Sequence, residues 1–518
     1  MVEGTEAMAD LLDTNTSSCC AHPIENVCSS QSSVAYSGEH HGEAATDGIP
    51  NPLAHADRCR RPRLHAVHAS RAARTVQAGG HARKAAAGGA EGAAGRADLR
   101  VGDRSQRRAP PAVRVAGVMP APRSRAMRVL VCPQEFKGAL TAIEAATAIA
   151  AGVRSAFPGA EVAELPMADG GPGTVAIVAR ATGARLVRHT ATGPLGDPVT
   201  AAYALLVRHG EATLAMIEAA ATAGLLLVPP ERRDPTRATS VGVGEQIRHA
   251  IAGGAREVIV GVGGTATNDG GAGAAQALGL RLLDGNGESL PRGGLALVRL
   301  ARVEAPIGAP AAAPADTPID PIDVDAVICD LNLRIAVDVR NPLLGPSGAT
   351  AVYGAQKGVA DWQAPALDAA LAHWARRLRD DLRCDVAAQP GAGAGGGIPT
   401  GLLAACPRGR IESGAALVAN AIGLRGAIEA ADLVITGEGA MDAQTAYGKA
   451  VAHVAALAAE TGTPCVAVAG IVEGLPAGIL NAEALAPTSA GHPAETRQAA
   501  AYVAAAAARL IRRWAAGN

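Results

Sequence analysis

The chain has 518 residues, of which 48% are hydrophobic, and its 47 basic side chains nearly balance its 48 acidic ones. It is long enough for two or three domains around a large core, and its charge balance argues against a nucleic-acid or membrane partner. No run approaches the roughly 18 to 20 apolar residues of a membrane helix and no signal-peptide layout opens the chain, so a soluble cytoplasmic protein is expected.

Residues 1–126 have no sustained period of 2 or 3.6. The first 50 carry eight acids and no Lys or Arg, whereas 51–126 carry 16 basic residues and four acids in low-complexity Ala/Gly/Arg sequence. A disordered extension is expected there, and MRVLVCPQ at 127 opens so like a β-strand that Met127 is a candidate translation start. An RNA-binding or targeting tail is the functional alternative, weakened by the acidic block and by the lack of interleaved aromatics.

From 127 onward, short β-branched runs lead into Ala-rich helical segments: MRVLVCP into TAIEAATAIAAGVRSAF, REVIVGVGG into GAGAAQALG, ADLVITGEG into KAVAHVAALAAETG, with PCVAVAG after them. Strands apolar on both faces that alternate with helices predict a parallel sheet covered on both sides, an α/β fold. Between them, 186–227 alternates strand-like runs around GPLGDP, which predicts hairpins and a second subdomain of mixed topology. The Pro/Ala stretch 305–323 predicts a surface loop. Five of the nine cysteines lie in this apolar body without metal-ligand spacing and read as free buried thiols.

Three strand ends run into glycine-rich loops that carry acids: LPMADGGPGT (165–174), VGVGGTATNDGGAG (260–273) and VITGEGAMDAQT (434–445). Ligands collect beyond the carboxyl ends of parallel strands, where glycines let backbone N–H groups approach a phosphate. Phosphoryl transfer also needs a divalent cation on oxygen ligands, cationic donors and a group that orients the attacking hydroxyl. Asp169 and Asp269 are the candidate Mg2+ ligands or base, joined by Asn268 and, in a second acidic pair, by Glu438 and Asp442. Gly263, Gly264, Thr265, Gly270, Gly271 and Gly437 are the candidate phosphate-loop positions. The bland alternative is that each DGG is a turn whose aspartate caps its own backbone.

The chain has 43 arginines and four lysines, three of which (Lys137, Lys357 and Lys449) sit beside a glycine. A compact ammonium suits a phosphate as a point charge with three donors, so these three are candidate phosphate ligands, although a lysine beside glycine also fits a helix C-terminus. Arg237 and Arg340 are candidates for a substrate carboxylate, and Asn341 and Gln356 for its hydroxyls. GAGAGG at 391–396, with Glu412 downstream, satisfies a dinucleotide fingerprint. The preceding CDVAAQP is too poor a strand to support that reading. GxxxxGK[ST], GxSxG, HExxH and CxxC are all absent.

The order EFKGAL, LPMADGGPGT, TGPLGDPV, RDPTRATSVGVGEQI, GVGGTATNDGGAGAAQALG, VDVRNPLLGPSGATAVYGAQKG, PGAGAGGG and DLVITGEGAMDAQTAYGKA resembles the bacterial glycerate kinase type 1 family over essentially all of 127–518. The resemblance implies ATP- and Mg2+-dependent phosphorylation of D-glycerate to 2- or 3-phosphoglycerate; the sequence leaves monomer and homodimer both open. It also implies a discontinuous Rossmann/flavodoxin-like domain (127–187 and 405–518) with a mixed α/β domain inserted (188–404), and an active-site cleft between the two. Two positions depart from the family pattern: Gln134 stands where an aspartate is usual, with Glu135 beside it, and Pro172 replaces a glutamate. Kinase action on another small hydroxy acid, and a ligand-binding homologue without catalysis, are the alternatives those departures raise.

Overall fold

The computed structural model describes residues 125–207, 213–305, 324–441, 450–485 and 496–517. The expected extension up to residue 124, nearly all of the Pro/Ala loop, Asp442 and Lys449 lie outside the described residues. The five body cysteines, Cys132, Cys329, Cys384, Cys406 and Cys465, are free thiols, three of them buried.

The strands in chain order are β1 (Arg128–Val131), β2 (Glu161–Glu164), β3 (Arg185–Thr192), β4 (Pro198–Leu206), β5 (Thr213–Glu218) and β6 (Ala255–Gly261). After them come β7 (Arg281–Leu283), β8 (Arg302–Glu304), β9 (Asn332–Ala336), β10 (Arg410–Glu412), β11 (Leu433–Met441), β12 (Cys465–Val472) and β13 (Asn481–Ala484). Strands β7 and β8 pair only with each other.

The first sheet has the order β13-β12-β11-β1-β2 and every pair in it is parallel. Strand β1 shows why its sequence is unbroken in its apolar character. Val129 and Val131 pack on one face with Ile149, Val153 and Val503, while Leu130 and Cys132 pack on the other with Val434 and Val454. Helix Ala142–Ala156 covers the first face; Thr141 begins it with a capping box, accepting from the Glu144 N–H while the Glu144 carboxylate takes the Thr141 N–H.

The second sheet has the order β10-β9-β6-β5-β4-β3. Its β3–β4 and β4–β5 pairs are antiparallel and the rest parallel, as the hairpin pattern predicted. One face lies under the helices Val241–Ala252 and Ala272–Ala277. The other face, with Leu206, Leu214, Met216 and Ile259, shares a core with Val175, Val178 and Leu417 of the first lobe. The two lobes are therefore joined through apolar packing as well as through the chain.

The strands of the second sheet, with the β7–β8 pair, run from β3 to β10, residues 185–412. Strand β10 is the three-residue edge RIE, polar at both ends, and carries no periodic signal that separates it from a loop. Strands β5, β6 and β9 end in register at Glu218, Gly261 and Ala336. Because β4 runs antiparallel to β5, its start at Pro198 and the end of β3 at Thr192 reach the same edge of the sheet. That edge meets the loop at the carboxyl end of β2, where a Cβ on Gly170 would lie 3.0 Å from Ala336 Cβ and 3.4 Å from Gly261 Cα. Among the described residues no helix is long and apolar enough to cross a membrane.

Candidate functional site

The junction of the two lobes is built from backbone contacts that only glycine permits. A Cβ on Gly261, at the end of β6, would lie 2.1 Å from the Gly170 carbonyl oxygen, and one on Gly263 would lie 2.9 Å from Gly171 Cα. The loop after β2 is thereby pressed against the second sheet, and Asp169 stands at the seam. Its side chain is half-buried; Oδ2 accepts from the Gln134 amide at 2.8 Å and Oδ1 from the Gly171 N–H at 3.2 Å. The unusual Gln134 thus acts as a neutral donor to Asp169, and its own Oε1 is buried without a hydrogen-bond partner. Pro172, the other departure, rests on Gly264, whose Cβ would lie 2.9 Å from the proline ring.

The charge of Asp169 bears on two other carboxyls here. Partial desolvation and then the charge of Asp169 raise the Glu135 carboxyl, opposed by Lys137. Burial and then Asp169 push Asp338 up to about 6, against donation from Ser413, Gly414 and Ala415. Asp338 lies two residues beyond β9 and accepts from the Gly414 N–H at 2.8 Å and from Ser413 Oγ at 3.1 Å, at the start of helix Gly414–Ala421. No sequence motif singles out Asp338, although an acid two residues beyond a strand carries the same signal that marks Asp169. Lys137 is exposed in a tight turn closed by Phe136 and Leu140, beside Gly439 of β11. Gly437 accepts from the Gln134 N–H at 2.8 Å, and Glu438 is buried on β11.

Asp269 has a different environment from Asp169, although the sequence offers both as DGG. It is fully buried; Oδ2 accepts from the Ser240 N–H and Oγ, both at 2.8 Å, and from Gly273, and Oδ1 accepts from Gly271. Burial raises its pKa, and these donors oppose the rise. With both oxygens engaged inside the protein, it ties the start of helix Val241–Ala252 to the turn. Asn268 is also buried and donates to Thr350 Oγ1 at 3.0 Å.

GAGAGG, the false fingerprint, supports this loop from behind. Gly395, Gly396 and Gly397 hold φ values of 60°, 79° and 91°, and a Cβ on Gly396 would lie 1.9 Å from the Thr267 carbonyl oxygen. Gly270 donates to the Gly396 carbonyl at 2.9 Å. Three left-handed residues in succession let one backbone nest on another, a conformation open to glycine alone at little cost. Glu412 belongs to an ion-pair cluster with Arg334 and Arg410 instead.

Lys357 lies under the same loop, 3% exposed. Its Nζ donates to the Thr267 carbonyl at 2.7 Å and to Thr265 Oγ1 at 3.4 Å. Burial brings its pKa down to about 7, with Asp269 opposing the fall. Gln356 is exposed, and its carbonyl accepts from Arg233. Asn341 closes its own loop, donating to the Ser347 carbonyl and accepting from the Tyr353 hydroxyl. Arg340 and Arg237 are exposed, and Arg237 lines a cavity of about 410 Å³. Among the described residues no cluster of three or more His, Cys, Asp or Glu side chains is arranged as a metal cage.

A two-lobed α/β protein that brings glycine turns, carboxylates and lysines to facing strand ends has the construction of a small-molecule kinase. The chain belongs to the glycerate kinase family, whose model matches residues 129–515. It is 41% identical over 346 residues to a glycerate kinase of Bacillus subtilis (strain 168), covering 67% of this chain and 85% of that one. Against a glycerate 2-kinase of Escherichia coli (strain K12) it is again 41% identical, covering 66% and 85%. A crystal structure from Salmonella typhimurium LT2, assigned to glycerate kinase 2, matches with a TM-score of 0.64 and 39% identity, over 76% of this chain and 99% of that one.

Proposed function

We propose that this protein transfers the γ-phosphoryl group of ATP to a hydroxyl of D-glycerate and releases 2-phosphoglycerate. The observation that carries the reading is the meeting of Asp169, Glu135, Asp338 and Lys137 where two sets of parallel strands end. The chemistry requires little covalent participation from the protein; positioning and charge placement supply most of the catalysis.

The oxygens present suit Mg2+. The orphaned Oε1 of Gln134 and the carboxylate of Asp169 would hold it, and a cation that keeps several waters and takes phosphate oxygens needs no more than one or two carboxylates. Bound there, Mg2+ would neutralise charge on the transferred phosphoryl group. Asp338, with a carboxyl pushed up to about 6, is the residue to accept a hydrogen bond from the attacking hydroxyl and orient it. Lys137, exposed at the end of the β1 turn, pairs with phosphate oxygens. Lys357 holds the Thr267 carbonyl and the Thr265 hydroxyl from beneath the glycine loop.

The test is product identification by phosphorus NMR after incubating the protein with ATP, Mg2+ and D-glycerate. A 2-phosphoglycerate signal that depends on all three components is expected. ATP binding without turnover, or turnover only with another hydroxy acid, would refute the assignment, and 3-phosphoglycerate would refute its regiochemistry.

A further inference from the structure

The cavity lined by Arg237 has a built frame. Its first wall is the β3–β4 turn, closed by the Gly193 N–H donating to the Asp197 carbonyl at 2.7 Å. The second wall is the segment 232–239, tied to that turn by the Thr239 N–H donating to the Pro194 carbonyl at 2.8 Å. The third begins at Arg292 and is held to the second by the Leu295 N–H, which donates to the Thr236 carbonyl at 3.0 Å. Gly293 passes so close that a Cβ there would lie 2.8 Å from Arg237 Cα. Backbone bonds on every side make this a preformed cavity, and about 410 Å³ is within the range of small-molecule sites.

The charge in it is one-sided. Arg232, Arg237 and Arg292 line it against a single carboxylate, Asp234, whose Oδ1 already accepts from the N–H and Oγ1 of Thr236. Arg232 pairs with Asp197 at 3.4 Å in a largely exposed contact, the kind that contributes little. The Arg237 N–H donates to the Asp234 carbonyl at 3.2 Å, but neither the Arg237 nor the Arg292 guanidinium has an ion-pair or hydrogen-bond partner among the described residues. Two unpaired guanidinium forks over a rigid concave surface are matched by a planar oxyanion. Leu195 and Gly196 of its lining belong to the β3–β4 turn, which the antiparallel pairing brings to the edge of the second sheet where β5, β6 and β9 end.

We propose that this cavity is the specificity subsite for the carboxylate of the acceptor acid, held by Arg237 and Arg292. The inference rests on the kinase reading above and deepens it: phosphate chemistry occupies the β6 and β9 side of the edge, and acid recognition occupies the β3–β4 side. It also adds Arg292, which no sequence motif singled out.

Steady-state kinetics of the full chain carrying Arg237→Ala or Arg292→Ala tests it. Loss of one charged fork is expected to raise KM for D-glycerate about tenfold or more, with kcat changing less and KM for ATP held within about twofold. Both side chains are exposed, so the variants should fold; Arg→Gln variants, which keep the stem, serve if melting curves show otherwise. Unchanged glycerate KM in both variants overturns the subsite, and so does a rise confined to ATP, which would make the cavity a nucleotide phosphate site. Calorimetric titration of D-glycerate and of glycerol, which lacks the carboxylate, reads the same site without turnover. Binding of the acid alone, lost in the variants, supports the subsite; equal behaviour of acid and alcohol overturns it. Absence of turnover in the unsubstituted protein would refute the kinase reading and leave this binding measurement to judge the cavity by itself.

Discussion

Replacing Lys357 by methionine isolates the effect of burying a lysine under the glycine loop. In the folded protein its pKa falls from 10.5 to about 7. Between those values the unfolded chain holds a proton that the folded chain does not, so stability rises with pH across that window; below about 7 both forms are protonated and the penalty is constant. The full depression corresponds to roughly 5 kcal/mol, of which about 2 kcal/mol is relieved between pH 7.5 and 9. Methionine keeps the length of the side chain and removes the titration. It also leaves the Thr267 carbonyl without its donor, at a cost of about 1–3 kcal/mol that does not vary with pH. Urea unfolding of both proteins at pH 7.5, 8.2 and 9 should show the unsubstituted protein gaining about 2 kcal/mol relative to Lys357→Met. A constant difference across that range would refute the argument, because it would mean that Lys357 carries its proton in the folded state as readily as in water.

The two DGG aspartates should separate in behaviour. Asp169→Asn should lower turnover by about a hundredfold or more with little change in melting temperature, whereas Asp269→Asn, which turns an amide N–H toward backbone donors, should cost on the order of 3 kcal/mol in stability by chemical denaturation. Gln134→Asp puts a second carboxylate beside Asp169, so Mg2+ should bind about tenfold more tightly and raise the melting temperature of the variant more than that of the parent; equal shifts would remove Gln134 from the cation site. His189, stacked on His249 at 4.5 Å with both ring nitrogens buried and unpartnered, has its pKa lowered by burial and then by His249, opposed by Glu245. Its contribution is therefore present above pH 6.5 and lost as pH falls through the lowered value, and His189→Gln should flatten the acid side of a melting-temperature profile.

The sequence by itself determined the layers and the chemistry on offer. Residues such as Val129 to Cys132 are apolar at every position because both faces of β1 are covered, and such a run reads as a buried parallel strand without any knowledge of its neighbours. The alternation around GPLGDP likewise announced the antiparallel hairpin, and the glycines after the strands marked loops that meet at the lobe junction. Local pattern reaches that far because periodicity and turn chemistry depend on residues close in the chain.

Only the tertiary structure decided which member of each look-alike pair does what. ADGG and NDGG are nearly the same four residues, yet one aspartate stands at the seam between lobes and the other is enclosed by Ser240, Gly271 and Gly273. GAGAGG imitates a nucleotide fingerprint and instead cradles Thr267 and Gly270. Asp338 gains its raised pKa from burial and from Asp169, a residue 169 positions earlier in the chain. Arg237 and Arg292 share a cavity because backbone bonds bring separate segments together. Burial, charge coupling and cavity shape are sums over neighbours distant in sequence, and those sums exist only once the chain has folded.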